Sequence, residues 1–214
     1  MSHQWPVEWA GVVESVTTTL GPNGRWNVAA LGLRASPTFE AEEVEADTGR
    51  APVDVDPEGP VTATTWGNTR TRRNFAREGE GVVQFVTDPR DFVDAALSVR
   101  EEDEPVLDSA AAWVRVDVER LSSEETESTR TETWALEPTA STVRERRVPT
   151  IDRGFAAVVD ATVAASRLDV ESYDTDVLLD RLEYFASVVD SCGGPRTREA
   201  FARVDEYADW RDRR

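Results

Sequence analysis

The sequence predicts an α+β chain: a β-rich, barrel-like domain over residues 1–148, then a three-helix module over residues 149–214. Three observations carry this. Residues 12–34 hold two strand-like runs separated by Leu20-Gly21-Pro22-Asn23-Gly24, and turn chemistry between two such runs marks a hairpin. Ala111–Leu121 alternates, with Trp113, Arg115, Asp117 and Glu119 on one face and Val114, Val116 and Val118 on the other. After Pro149 the apolar period lengthens to that of a helix.

The elements follow in order. Val12, Val13, Val16 and Thr17–Thr19 form the first strand, and Arg25–Arg34 the second. Ser36–Asp47 is a candidate third strand weakened by its acids, and Thr48–Pro60, rich in Pro, Asp and Gly, reads as a loop or expanded insert. Val61–Thr65 is a short strand running into a helix that Thr69 or Thr71 caps and Gly79 stops. Val82–Thr87 is a clear strand, whose Gln84 either faces outward or meets a cofactor. Asp88 caps the next helix, with Pro89 at a first position that needs no N–H. Arg100–Glu104 is expected to be an acidic loop, and SSEETEST the turn before the returning strand Thr129–Val143. Asp152 caps the first tail helix, to about Leu168. The second spans about Thr175–Ser191, and Gly193-Gly194-Pro195 ends it and starts the third. The apolar stripes of these helices are expected to bury against each other and the barrel.

Composition narrows the function. The 214 residues carry 42 acids against 24 bases, a net charge of −18, and every base is arginine. One cysteine, Cys192, allows no intrachain disulfide. With His3 the single histidine, a Cys/His zinc set and a His-dependent nucleophile are both disfavoured. No apolar run reaches the roughly 18 residues of a membrane span. The start, MSHQWPVEWAG, lacks the basic and apolar segments of a signal peptide, so a cytoplasmic location is expected. Abundant acid with lysine absent resembles proteins of halophilic archaea, whose solvated carboxylates keep them soluble where molar salt shortens the Debye length to about 3 Å. The acids are spread along the chain, which speaks against a polycationic partner, and their sum repels nucleic acid.

Two acid-free windows interrupt this background. Ser15–Phe39 lacks Asp and Glu and contains Arg25 and Arg34. Gly59–Arg77 lacks them too and contains Arg70, Arg72, Arg73 and Arg77. Buried strands exclude carboxylates, which accounts for much of the first window. It does not account for four arginines in the second, where a local site for an anion is the sharper reading. A helix start offers outward N–H groups at its positive dipole end, threonine adds hydroxyl donors, and a guanidinium adds a planar two-pronged grip. Thr69, Arg70 and Thr71 bring all three together, as a phosphate would require. Arg72, Arg73 and Arg77 are expected to pair with surface acids. There is no P-loop, no GxGxxG, no HExxH and no EF-hand loop.

Three stretches, VESVTTTLGPNGRWNVAALGLR, TWGNTRTRRNFAREGEGVVQFVTDPRDFVDAAL and SCGGPRTREAF, together resemble an archaeal family of FMN-binding split barrels of unknown function. The wider superfamily includes flavin reductases and pyridoxamine-phosphate-oxidase-like proteins. The resemblance spans nearly the whole chain; the acidic region 40–59 departs from it. It implies a six-stranded antiparallel split β-barrel with short helices, and FMN near a homodimer interface. It places Asn27, Val28, Ala29, Ala30 and Leu31 along the flavin ring. It places Thr65, Trp66, Asn68, Thr69, Arg70 and Thr71 around the ribityl-phosphate, with Asn74 one helical turn on. The residues leave alternatives open: Ala29 and Ala30 as ordinary barrel positions, Asn27 as the end of a turn, Trp66 as a packing aromatic. The function implied is FMN binding, with flavin-dependent oxidoreductase chemistry, a flavin carrier or sensor, and an F420-binding barrel as the readings that follow. No residue presents itself as a catalytic acid or base, and NAD(P)H, reduced F420 and ferredoxin all stay open as electron donors. No metal, nucleic acid or membrane partner is expected.

Overall fold

The computed structural model of the chain describes residues 5–7, 9, 11–35, 60–125, 129–148 and 150–213. Its strands are β1 (Val12–Leu20), β2 (Trp26–Arg34), β3 (Val61–Trp66), β4 (Glu80–Val86), β5 (Arg100–Glu102), β6 (Ala110–Glu125) and β7 (Arg130–Val143). Its helices are α1 (Arg70–Glu78), α2 (Pro89–Leu97), α3 (Arg153–Ala165), α4 (Thr175–Cys192) and α5 (Pro195–Ala208), followed by a 3₁₀ turn at Trp210–Arg213. Neighbouring strands run in the order β1-β4-β6-β7-β3-β2, and β2 pairs again with β1, so six antiparallel strands close into a barrel.

The closure is incomplete at β2. Along one side β2 pairs with β1 over its full length, from Trp26 opposite Leu20 to Arg34 opposite Val12. On the other side, among the described residues, only its ends are paired: Trp26–Val28 with β5, and Leu33 and Arg34 with β3. Ala29, Ala30, Leu31 and Gly32 lie between, with no strand against that edge among the described residues. An unpaired backbone edge is a row of unsatisfied donors and acceptors.

Three cores hold the elements. Leu31, Leu33, Val83, Val114, Val116, Trp134 and Leu136 fill the barrel, and Phe75 of α1 plugs it, its ring 5.5 Å from Trp134 in an edge-on contact. Val16 and Val28 on the outer face of the hairpin bury against Phe92 and Ala95 of α2 and Leu107. The tail helices close around a third core that includes Val93 of α2. Each fully buried Val, Leu or Phe contributes roughly 1.5–3 kcal/mol. Helix α2 therefore belongs to both parts, and Asp94 fastens it, accepting from Tyr207 Oη at 3.0 Å and pairing with Arg203. Among the described residues no helix is long and apolar enough to cross a membrane.

Three sequence expectations are corrected. Arg100–Glu102 is a strand: its acids are tolerated because Arg70 meets Glu101 at 2.7 Å and Arg100 meets Glu102 at 2.7 Å. Ser122–Glu125 continues β6 opposite Arg130–Thr133 as a solvated ribbon, so the turn is tighter than SSEETEST. Gln84 does not face outward, and it does not line the cavity described below. It is fully buried, donating to Pro105 O at 2.9 Å and accepting from Leu107 N at 2.7 Å, which ties the 105–107 loop to the barrel. The candidate strand Ser36–Asp47, nearly all of the 48–60 loop, and His3 lie outside the described residues.

Candidate functional site

The site begins where β3 ends. Gly67 takes φ +67°, a left-handed turn that glycine adopts without strain, and its N–H is held by Arg130 O at 2.6 Å. This reverses the chain into Asn68 and Thr69. Thr69 is the N-cap of α1: its side chain accepts from Arg72 N at 3.3 Å. The hydroxyl proton of Thr69 is therefore left to point elsewhere. No acid occupies the first turn of α1, so the positive end of the helix is not neutralised from within. Thr71 is buried, and its hydroxyl accepts from Asn27 Nδ2 at 3.5 Å, which ties the helix start to β2. The Arg70 guanidinium stays nearly half exposed, and Glu101 holds it.

These groups open on a cavity of about 740 Å³. That volume suits a cofactor-sized ligand. Asn27, Val28, Ala29, Ala30, Leu31 and Gly32 form one wall, and Thr64–Trp66 and Asn68–Thr71 form another. Eleven of the twelve residues expected at the site thus border one space, brought from two strands and a helix. Val28 and Leu31 direct their side chains into the cores, so β2 offers the cavity mainly backbone. Thr65 is likewise committed inward: its hydroxyl accepts from Trp134 Nε1 at 2.9 Å and contacts Glu132 O at 3.4 Å. Trp66 is 63% exposed and stands at the rim.

Asn74 is not at the cavity. It is buried with Nδ2 donating to Thr19 Oγ1 at 2.9 Å, and Arg77 reaches its Oδ1 at 3.1 Å. One turn beyond Thr71 the helix faces β1, which is why the spacing misled. The other arginines divide differently from expectation. Arg77 pairs with Glu78 at the surface. Arg72 turns inward to Asn68 and to Glu132, a fully buried carboxylate that Arg120 and Arg130 also approach. Arg73 borders the cavity and donates to Asn68 O at 2.7 Å, bracing the loop.

The remaining wall was missed by sequence reasoning. Phe92, Ala95, Ala96, Ser98 and Val99 come from α2 and its end, and Thr162, Val163 and Ser166 from α3 and its C-cap. One tail helix, α3, thus reaches the cavity, where the sequence predicted only packing against the barrel and the other helices; no local signal marks these positions. Glu14 also lines the cavity, from β1. Partial desolvation there pushes its carboxyl above the ordinary value of 4.5.

An open strand edge, a cationic helix start and a helical appendage border one cavity, and the class the fold defines is the antiparallel split β-barrel. The chain belongs to the family described as protein of unknown function DUF447, matching its N-terminal domain over residues 13–145 and its C-terminal part over residues 152–206. The structure resembles the FMN-bound protein MM1853 of that family from Methanosarcina mazei, with a TM-score of 0.71 and 21% identity over 93% of this chain and 96% of that one. It has slighter likeness to the flavin reductase of styrene monooxygenase from Pseudomonas putida S12 (TM-score 0.35, 16% identity, 64% and 81% covered). It is similarly distant from nitrilotriacetate monooxygenase component B from Mycobacterium thermoresistibile (TM-score 0.38, 15% identity, 65% and 72% covered). No curated protein matches the chain in sequence.

Proposed function

We propose that the protein binds FMN, with the phosphate on Thr69, Arg70 and Thr71 and the ring along Asn27–Leu31. The observation that carries this is the meeting, in one cavity, of an unpaired backbone edge and an acid-free, arginine-bearing helix start. The first answers the polar edge of a flat ring, and the second answers a phosphate dianion. Ala29 and Ala30 leave room for a ring to approach the backbone. Phe92, Ala95, Ala96 and Val99 supply an apolar wall that keeps water from the ring. The FMN bound by the Methanosarcina mazei relative supports the choice of ligand.

Bound flavin supplies reversible electron or hydride transfer, while the protein binds, orients and tunes it. The reading is therefore of a flavin reductase-like oxidoreductase, with its electron donor open. A carrier of flavin is the second reading, since the same helix start and strand edge would hold the ligand whether or not the protein turns it over. An F420-type ligand would use the same cradle, since the cradle recognises phosphate and not the ring. Trp66 and Val99, 63% and 72% exposed at the rim, favour a homodimer in which a second copy covers the cavity. The lysine-free acidic composition favours a halophile's cytoplasm as the setting.

The test is uptake. The purified protein, in molar salt, is mixed with FMN, riboflavin or F420 and passed through a desalting column. FMN retained in stoichiometric amount, with the bands of oxidised flavin perturbed, supports the reading; retention of F420 alone overturns it. Oxidation of NAD(P)H by the loaded protein separates an oxidoreductase from a carrier. Light scattering in the same buffer reports the dimer.

A further inference from the structure

Among the described residues, Glu14 is the one carboxylate that lines the cavity. It stands on β1 directly opposite Gly32 of β2, and that register decides where its head group goes. A Cβ built on Gly32 would lie 3.7 Å from each of the Glu14 carboxylate oxygens and 3.4 Å from Val12 Cγ1. The carboxylate thus lies across the bare Cα of Gly32, against the last residue of the unpaired β2 edge. A larger side chain at 32 would occupy the path the carboxylate takes. Among the described residues no cation or N–H donor meets Glu14, whereas Asp88, Asp91, Asp94, Glu101 and Glu132 elsewhere in the fold each meet an arginine. Glu14 is open to solvent through the cavity, yet crowded enough for its carboxyl to be harder to ionise than usual.

The cradle lies at the other end of the same wall. Asn27 is tied to Thr71, and Gly32 is five residues further along an extended strand, about 17 Å away at strand rise. A ligand anchored by phosphate at Thr69–Thr71 carries its far end toward Gly32. We infer that Glu14 is the acceptor for a ring N–H of the bound ligand, so that the cavity selects a planar heterocycle bearing an imide-type N–H at the end remote from its phosphate. This rests on the FMN reading, in which the donor is the N–H between the two carbonyls of the flavin ring. Glu14 thereby acts on specificity, and the chemistry stays with the flavin. Its partial desolvation favours this use, because a carboxylate short of water hydrogen bonds gains more from a ligand N–H.

The experiment compares FMN with FMN methylated at that ring nitrogen, which has no proton to donate. Affinities are measured by quenching of flavin fluorescence for wild type, Glu14→Ala and Glu14→Gln. Wild type is expected to prefer FMN by about tenfold or more, the usual weight of a hydrogen bond to a charged group. Glu14→Ala should bind FMN about tenfold more weakly and lose most of the preference. Glu14→Gln, which keeps an acceptor oxygen without the charge, should fall between. A second readout is the alkaline deprotonation of the ring nitrogen, followed by absorbance. The neighbouring carboxylate should shift it to higher pH in wild type, and Glu14→Ala should return it toward that of free FMN. Equal preference in wild type and Glu14→Ala, with an unshifted alkaline transition, overturns the inference while leaving FMN binding intact. Failure of wild type to bind FMN overturns the FMN reading itself, and this inference with it.

Discussion

Arg70→Ala gives the sharpest test of the cradle, because the structure supplies both sides of the balance. The guanidinium is held by Glu101 at 2.7 Å, with side chains 44% and 24% exposed. An ion pair so exposed contributes about 0–1 kcal/mol. A charge-assisted hydrogen bond to phosphate contributes about 1.5–3 kcal/mol. Phosphate binding exchanges one for the other, so the net gain is about 1–2 kcal/mol, or roughly five- to thirtyfold in affinity. Arg70→Ala should weaken FMN by that factor and leave riboflavin, which has no phosphate, unchanged. Arg73→Ala should cost less than about threefold, since Arg73 braces Asn68 and its charge is spent on the loop. Glu101→Gln removes the competing carboxylate and should tighten FMN about two- to threefold, an effect that vanishes in the Arg70→Ala background. Fluorescence titration of the four variants measures all of this. Arg73→Ala weakening FMN as much as Arg70→Ala, or Glu101→Gln acting equally in both backgrounds, would refute the placement of the phosphate.

Glu132 is fully buried with Arg72, Arg120 and Arg130 all directed at one oxygen, so Glu132→Gln strands three guanidinium groups. Breaking a buried pair costs about 3–5 kcal/mol. Because Arg120 and Arg130 can rehydrate, the lower end applies, a fall in Tm of about 10 °C by scanning calorimetry. Asp88 caps α2, and the side-chain hydrogen bond from Arg90 holds its carboxyl below the ordinary 3.8. A depressed carboxyl contributes stability above its unfolded pKa and loses it as pH falls through the folded one. Asp88→Ala should therefore lower stability by about 1 kcal/mol at neutral pH, with the gap to wild type closing below about pH 3.8 in urea titrations.

What the sequence made legible follows from how local each cause is. The hairpin, the caps at Thr69, Asp88 and Asp152, and Pro89 and Pro195 at first helical positions are all decided within a few residues, and each stands in the structure. Strand β5 was hidden because Glu101 is excused by Arg70, which arrives from a distant segment, while Glu102 is held by Arg100 of the strand itself. Gln84 was hidden because its partners at 105 and 107 lie on a loop that says nothing of where it folds. Thr69–Thr71 stood out as a stretch beside the cavity since it is contiguous and acid-free. The α2 and α3 wall did not, because Ala95, Ala96 and Thr162 look like any small helical positions until packing sets them beside β2. Asn74 shows the limit of helical spacing: it is one turn from Thr71, but α1 has by then passed the cavity and faces Thr19.

Glu14 marks the boundary between the chain's acidity and its exception. The acid-free window that supplies the β2 wall begins at the residue after it. Glu14 is exposed on one side, and its partial desolvation by the wall on the other raises its pKa from 4.5, so the ionised form is disfavoured. For a raised carboxyl the sign is the reverse of that at Asp88. Stability is greatest below the ordinary value and is lost as pH rises through the folded one. Glu14→Gln, which never ionises, should therefore melt at a higher temperature than wild type at neutral pH without ligand, and at the same temperature below pH 4.5. Saturating FMN should shrink or reverse the difference at neutral pH, because the carboxylate then has its N–H. A ligand-free Glu14→Gln protein that melts below wild type at neutral pH would mean the carboxylate already has a partner, and that the cavity does not wait on a ligand to supply one.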